Sequence, residues 1–193
     1  MNRGVNNVVE TEATVAAKGK WYEGLFGTGM KDLKSGTAWA KFFGRLGLGF
    51  LFLWSGYQKT LAWANGGMAT KGFLSGASVA GSPLAGFFNS LSGNWTVEYL
   101  VVFGELAVGI SLIFGFFTRI GCISGMLQMT LFTAAMWPIA DKAGDNPLVD
   151  IRVIYGLMLL MFFFTTPGRF LGVDGIIEKY LPQRFSKLKW LLG

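Results

Sequence analysis

The stretch from Val101 to Gly109, Val-Val-Phe-Gly-Glu-Leu-Ala-Val-Gly, runs on to Thr118-Arg119 and reads as an apolar helix with one acid, Glu105, well inside it. That placement limits the fold more than any other feature of the chain. In hydrocarbon a mid-helix acid costs about 2.5–3.5 kcal/mol on insertion scales and more by other measures. Glu105 therefore needs a basic partner or a chemical role, and the rest of the sequence can be searched for what faces it.

Composition points to a membrane setting. Hydrophobic residues make up 52% and charged residues only 15% of the 193 positions, and the mean hydropathy is +0.45. Crossing the apolar core takes roughly 20 residues, and four segments qualify, at about 37–63, 95–118, 120–140 and 149–166. The expected fold is an all-α membrane protein: a four-helix transmembrane bundle over residues 37–167, with a short amphipathic helix in the first outer loop and an interfacial C-terminal helix. Residues 1–36 read as a cytoplasmic tail in which Trp21, Tyr22, Leu25, Phe26 and Met30 suit the interface, and residues 168–193 as a basic amphipathic tail. The polar, basic start delays the first apolar run too long for a cleaved signal, so the first helix is expected to be retained. Arg45 and Lys59 interrupt that helix near its ends, where both are expected to snorkel.

Basic residues set the orientation. Residues 1–45, Arg119 and the stretch after Pro167 supply thirteen, against Lys59, Lys71, Lys142 and Arg152 on the other side. Both termini are thus expected in the cytoplasm of a multi-pass plasma-membrane protein. This distribution also accounts for the basic excess, leaving nothing that points to nucleic acid.

Arg45, Phe52 and Lys59 recur every seven residues and share one face of the first helix. With 1.5 Å of rise per residue, Lys59 lies about 6 Å and Glu105 about 12 Å below the outer ends of their helices, an offset two long side chains can bridge. Lys59 is therefore the first candidate partner for Glu105. Asp150 and Arg152 open the fourth helix. An acid there ordinarily serves the helix dipole, whereas Arg152 must snorkel or pair. In the first outer loop, Ser82 is a candidate N-cap, Pro83 suits the first helical position, Leu84, Phe87, Phe88 and Leu91 follow helical spacing, and Gly93 can stop the helix. Two readings stay open for this element, an interfacial helix and a lid over an outward pocket. Small residues four apart, Ala107, Ser111 and Gly115 on the second helix and Gly121 and Gly125 on the third, predict close-packing seams.

The chain has no His and a single Cys, Cys122. The usual haem, zinc and iron–sulfur ligation patterns are therefore out of reach, as is an internal disulfide. The Gly-rich segments lack the strand-then-helix context of a dinucleotide fingerprint. No haem, metal or flavin is expected in this chain.

Three motifs carry a family resemblance. Gly56-Tyr57-Gln58-Lys59 closes the first helix, Gly104-Glu105-Leu106-Ala107-Val108-Gly109 continues to Gly115-Phe116-Phe117-Thr118-Arg119, and Gly168-Arg169-Phe170-Leu171-Gly172-Val173-Asp174 follows the fourth helix. Together, over about residues 40–177, they resemble the DoxX/DoxD family of four-helix membrane proteins. Length and the Gly-rich first outer loop are most similar to the DoxD branch, membrane subunits of thiosulfate:quinone oxidoreductase. That resemblance implies oxidation of thiosulfate to tetrathionate, a membrane quinone as electron acceptor, and a small DoxA-type partner subunit. On this reading Lys59 and Arg152 are the candidate substrate-binding cations, Glu105 a proton donor to the quinone and Asp150 a proton relay. Two other classes fit the same residues: a non-catalytic structural subunit of a larger respiratory complex, in which the charges only fix helix register, and a small-anion transporter.

Overall fold

The computed structural model describes residues 35–137, 150–180 and 189–192, and these are helical, turn or loop with no strand among them. The segment at residues 21–30, the outer turn at 141–147 and the basic residues Arg184 and Lys187 lie outside the described residues. Ser35 opens the first helix by accepting a hydrogen bond from the Ala38 N–H, which satisfies one of the donors a helix start leaves bare. That helix, α1, runs Gly36–Ala64. Three short helices then cross one end of the molecule: α2 (Ala69–Leu74), α3 (Ala77–Ala80) and α4 (Ala85–Ser90). Asn94 caps the next helix through Thr96 N–H, and α5 runs Trp95–Phe114. The two remaining long helices are α6 (Thr118–Ala135) and α7 (Ile151–Thr165), followed by a 3-10 turn at Pro167–Arg169 and α8 (Val173–Tyr180).

The four long helices pack in chain order. α1 lies along α5, α5 against α6 and α6 against α7, while α1 and α7 touch only sparsely. The α1–α5 contact is backbone-close: a Cβ on Gly109 would sit 2.6 Å from the Leu53 nitrogen, and one on Gly49 would sit 2.9 Å from Leu112 Cβ. Larger residues there would force the helices apart. The expected seam at Gly121 and Gly125 is present, against Ser111 and against Val108 and Leu159. Leu48, Phe52, Val108, Leu112, Cys122, Met129, Leu159 and Phe162 form the main core, drawn from all four helices. A smaller core of Leu74, Val79, Phe88 and Ala135 ties the short helices to α6.

The polarity of the molecule is inverted relative to a water-soluble bundle. Large apolar side chains on all four long helices are exposed, among them Phe43, Phe50, Leu100, Phe114, Leu127 and Phe164, whereas Arg45, Glu98, Glu105 and Asp174 are buried. Water would not tolerate that exterior, and hydrocarbon favours it. α5 is long and apolar enough by itself to cross a membrane, and α7 is apolar but shorter, at 15 residues.

Several boundaries differ from the sequence reading. The second long helix stops at Phe114, because Gly115 takes the left-handed conformation (φ +62°) that closes a helix and Phe117 (φ +48°) turns the chain into α6. Gly115 is thus a stop and not the last member of a packing seam. The third helix begins at Thr118 and ends at Ala135, and Ile151–Thr165 replaces the expected 149–166. In the first loop the Ser82 hydroxyl accepts from Leu84 N–H and donates to the Ala134 carbonyl, so it fastens the loop to α6 while the helix itself starts at Ala85. Phe88 turns into the small core, but Leu84 and Phe87 remain exposed.

Candidate functional site

Charged side chains gather at the two ends of the bundle. At the end that carries α2–α4, termed the loop end, the Lys59 ammonium lies 2.6 and 2.8 Å from the two carboxylate oxygens of Glu105 and 2.8 Å from the Ser55 hydroxyl. Three acceptors match its three N–H groups. Glu105 is 2% exposed, so the partner its position demands is the one the heptad face of α1 supplies. Across the bundle, Asp150 caps α7 by accepting from Arg152 N–H at 2.7 Å and also takes the Arg152 Nη1–H at 2.8 Å. Arg152 thus pairs, and its other guanidinium N–H groups find no acceptor among the described residues. The capping role expected of an acid at that position is realised.

Lys59, Glu105 and Arg152 meet on one cavity of about 310 Å³, lined by α1, α2, α5, α6 and α7. Its wall is chiefly apolar and aromatic: Leu51, Phe52, Phe73, Val101, Met129, Phe132, Ile151 and Tyr155, with Ser55 and Thr70 as the uncharged hydroxyls on aliphatic side chains. Asp150 and Cys122 do not line it. Cys122 is wholly buried in the main core. Among the described residues no group of three or more Cys, Asp or Glu side chains could hold a metal ion.

Glu98, a buried carboxylate that sequence reading missed, supports the cavity wall without lining it. It is fully buried, and its carboxylate accepts from Trp63 Nε1 (2.9 Å), Ala69 N (2.8 Å), Thr70 N (2.9 Å) and the Thr70 hydroxyl. It therefore pins the first turn of α2, which supplies Ala69, Thr70 and Phe73 to the cavity wall. The element that roofs the cavity is α2 and not the amphipathic helix at 85–90. A signal existed: Glu98 lies seven residues before Glu105, on the same stripe of α5.

At the opposite, tail end, Arg45 does not snorkel. It is 0% exposed and donates to the carbonyls of Pro167 (3.0 Å) and Leu171 (3.2 Å), with Phe42 stacked against the guanidinium. Gly115 and Gly172 leave room for it, since a Cβ at either would fall within 3 Å of Nη1. Asp174, also buried, accepts from Phe117 N (2.7 Å) and Thr118 N (2.9 Å) and so caps α6 from the far end of the sequence. These contacts hold Phe117, Thr166 and Leu171 at positive φ, a region costly for residues with a Cβ. The second and third sequence motifs are thereby one structural knot. α8 closes it, and on that helix Glu178 pairs with Arg169 at 2.8 Å.

Charges buried between helices, an apolar exterior and an apolar cavity at one end define the class, a helical membrane protein. The DoxX family model matches residues 40–137, just over half of the chain. The chain belongs to the DoxX family. The matched span contains Lys59, Glu98 and Glu105, while Asp150, Arg152 and Asp174 follow it. No curated protein and no solved structure matches the chain.

Proposed function

We propose that this chain is a four-span membrane oxidoreductase subunit that couples oxidation of thiosulfate to reduction of a membrane quinone, with the loop-end cavity on the outer face and both termini in the cytoplasm. The observation that carries this reading is the convergence of Lys59, Glu105 and Arg152, from three helices, on one apolar cavity. Pure register-fixing pairs need no cavity, and about 310 Å³ is the size at which small-molecule sites begin.

The donor set supports the reaction. Joining two thiosulfate dianions by a sulfur–sulfur bond gives tetrathionate and releases two electrons, and a quinone that accepts them takes up two protons. Lys59 and Glu105 together hold a transferable proton beside the cavity, so both act in proton supply, and Glu105 also orients the ammonium. Lys59 has its three N–H groups engaged, so Arg152 becomes the leading residue for attracting the anion. Asp150 orients Arg152 and would relay protons from the water side. A small DoxA-type subunit or other respiratory subunits complete the assembly.

The test is thiosulfate-dependent reduction of an added quinone by the detergent-purified chain with its co-purifying partners. Rates normalised to folded protein should fall at saturation in Glu105→Gln, while Arg152→Met should raise the thiosulfate concentration for half-maximal rate. If Glu105→Gln assembles and turns over like wild type, its role is lost. If no preparation shows the activity, the chain is a structural DoxX subunit.

A further inference from the structure

Building on that reading, we infer that the interior of the loop-end cavity is the quinone head-group site, reached sideways from the bilayer through the α1–α7 seam, and that thiosulfate stays outside it. Three observations combine. First, the charges cancel. Lys59 and Arg152 face Glu105 and Asp150 in direct ion pairs, and Glu98 holds α2 immediately behind the cavity wall. With each cation already paired, and Glu98 a further carboxylate behind the wall, no excess positive charge holds a dianion inside the cavity; Arg152, its side chain 26% exposed, attracts the anion only from outside, and taking a dianion out of water into an apolar wall is strongly unfavourable.

Second, the wall suits a neutral ring. Phe52, Phe73, Phe132 and Tyr155 offer aromatic faces, and since the three Lys59 N–H groups are already engaged, the Tyr155 hydroxyl is the donor open to a carbonyl oxygen. A ring with carbonyl oxygens needs that arrangement of apolar faces and few polar contacts. Tyr155, on the opposite helix, has no hydrogen-bond partner for its hydroxyl among the described residues.

Third, the cavity has a lipid-side edge. α1 and α7 meet only sparsely, and each contributes a cavity residue that is also exposed on the apolar exterior, Leu51 at 46% and Ile151 at 56%. A ligand dissolved in the membrane reaches such a seam without crossing water, whereas an aqueous anion does not.

The probe is an azido-benzoquinone with a short isoprenoid tail, added to the full chain in lipid nanodiscs, with photo-adducts mapped by mass spectrometry. Adducts should fall on segments 51–55, 129–132 and 151–155. Leu51→Trp and Ile151→Trp, each plugging one lip of the seam from an exposed position, should lower labelling about tenfold or more, equivalent to the loss of one good contact. Leu100→Trp, on the outer face of α5, should leave it unchanged, and millimolar thiosulfate should not compete. Labelling scattered over the lipid-facing surface, labelling indifferent to both lip variants, or displacement by thiosulfate would overturn the assignment. This readout needs no turnover. Specific labelling without thiosulfate oxidation removes only the proposed activity, and turnover without specific labelling removes only this site.

Discussion

Replacing Glu98 by Gln exchanges one oxygen for an NH2 group yet should release α2. One carboxylate oxygen accepts from Trp63 and Ala69, the other from the amide and hydroxyl of Thr70. In glutamine one of these oxygens becomes an NH2 group: toward Trp63 and Ala69 it leaves two donors facing a donor, and toward Thr70 it leaves the amide facing one while the hydroxyl turns to accept, with every remaining bond losing its charge assistance. Hydrogen bonds to a charged group contribute about 1.5–3 kcal/mol each. Taking the lower figure for two bonds gives roughly 3 kcal/mol, and with about 1.4 kcal/mol per factor of ten, opening of α2 should rise on the order of a hundredfold. Amide hydrogen exchange resolved by mass spectrometry in nanodiscs reads this directly, because the Ala69 and Thr70 amides are themselves the bonded donors. Exchange across residues 69–74 should accelerate by that order while α5 and α6 stay protected. If Ala69 and Thr70 exchange as slowly in the variant as in wild type, the carboxylate is not what holds α2 and the reasoning fails.

Lys59→Met strands the buried Glu105 carboxylate and should cost about 3–5 kcal/mol, with Lys59→Met/Glu105→Leu recovering much of the loss, as thermal unfolding in detergent would reveal. Arg45→Lys should destabilise nearly as much as Arg45→Met, since an ammonium lacks the fork that reaches both the Pro167 and Leu171 carbonyls; equal melting of Arg45→Lys and wild type would contradict this. Gly115→Ala meets both a positive φ and the Arg45 guanidinium and should lower stability by more than the roughly 1 kcal/mol of left-handed strain alone. For topology, Ser90→Cys, exposed at the loop end, should react in intact cells with a membrane-impermeant maleimide, while Cys122, fully buried, gives the wild type no signal; a labelled Lys20→Cys in the same cells would reverse the orientation.

The Lys59–Glu105 pair was legible because a lone acid in an apolar helix is expensive and the heptad on α1 offers only a few cations. Arg45 was misread as a snorkelling residue because its acceptors are backbone carbonyls, exposed by a turn whose geometry no side-chain pattern announces. Glu98 escaped for a related reason: two of its four donors are amides of a six-residue helix too short to show periodicity. Helix ends slipped where backbone conformation decides them. The left-handed Gly115 and Phe117 cut one continuous apolar run into α5 and α6, and apolarity alone could not place that cut.

The tail-end knot also dictates an order in time. Arg45 binds carbonyls that lie 122 and 126 residues further along the chain. At about 5–20 residues per second, those acceptors emerge from the ribosome roughly 6–25 s after the arginine does. On the proposed four-span topology, the guanidinium would stay hydrated during that interval, with the tail-end turn of α1 held toward the aqueous boundary until the Pro167–Asp174 segment arrives. Nascent chains arrested before Pro167 should therefore leave a Lys41→Cys reporter open to water-soluble thiol reagents, and chains extended past Asp174 should protect it. The last turn of the bundle to be synthesised is what seats the first helix.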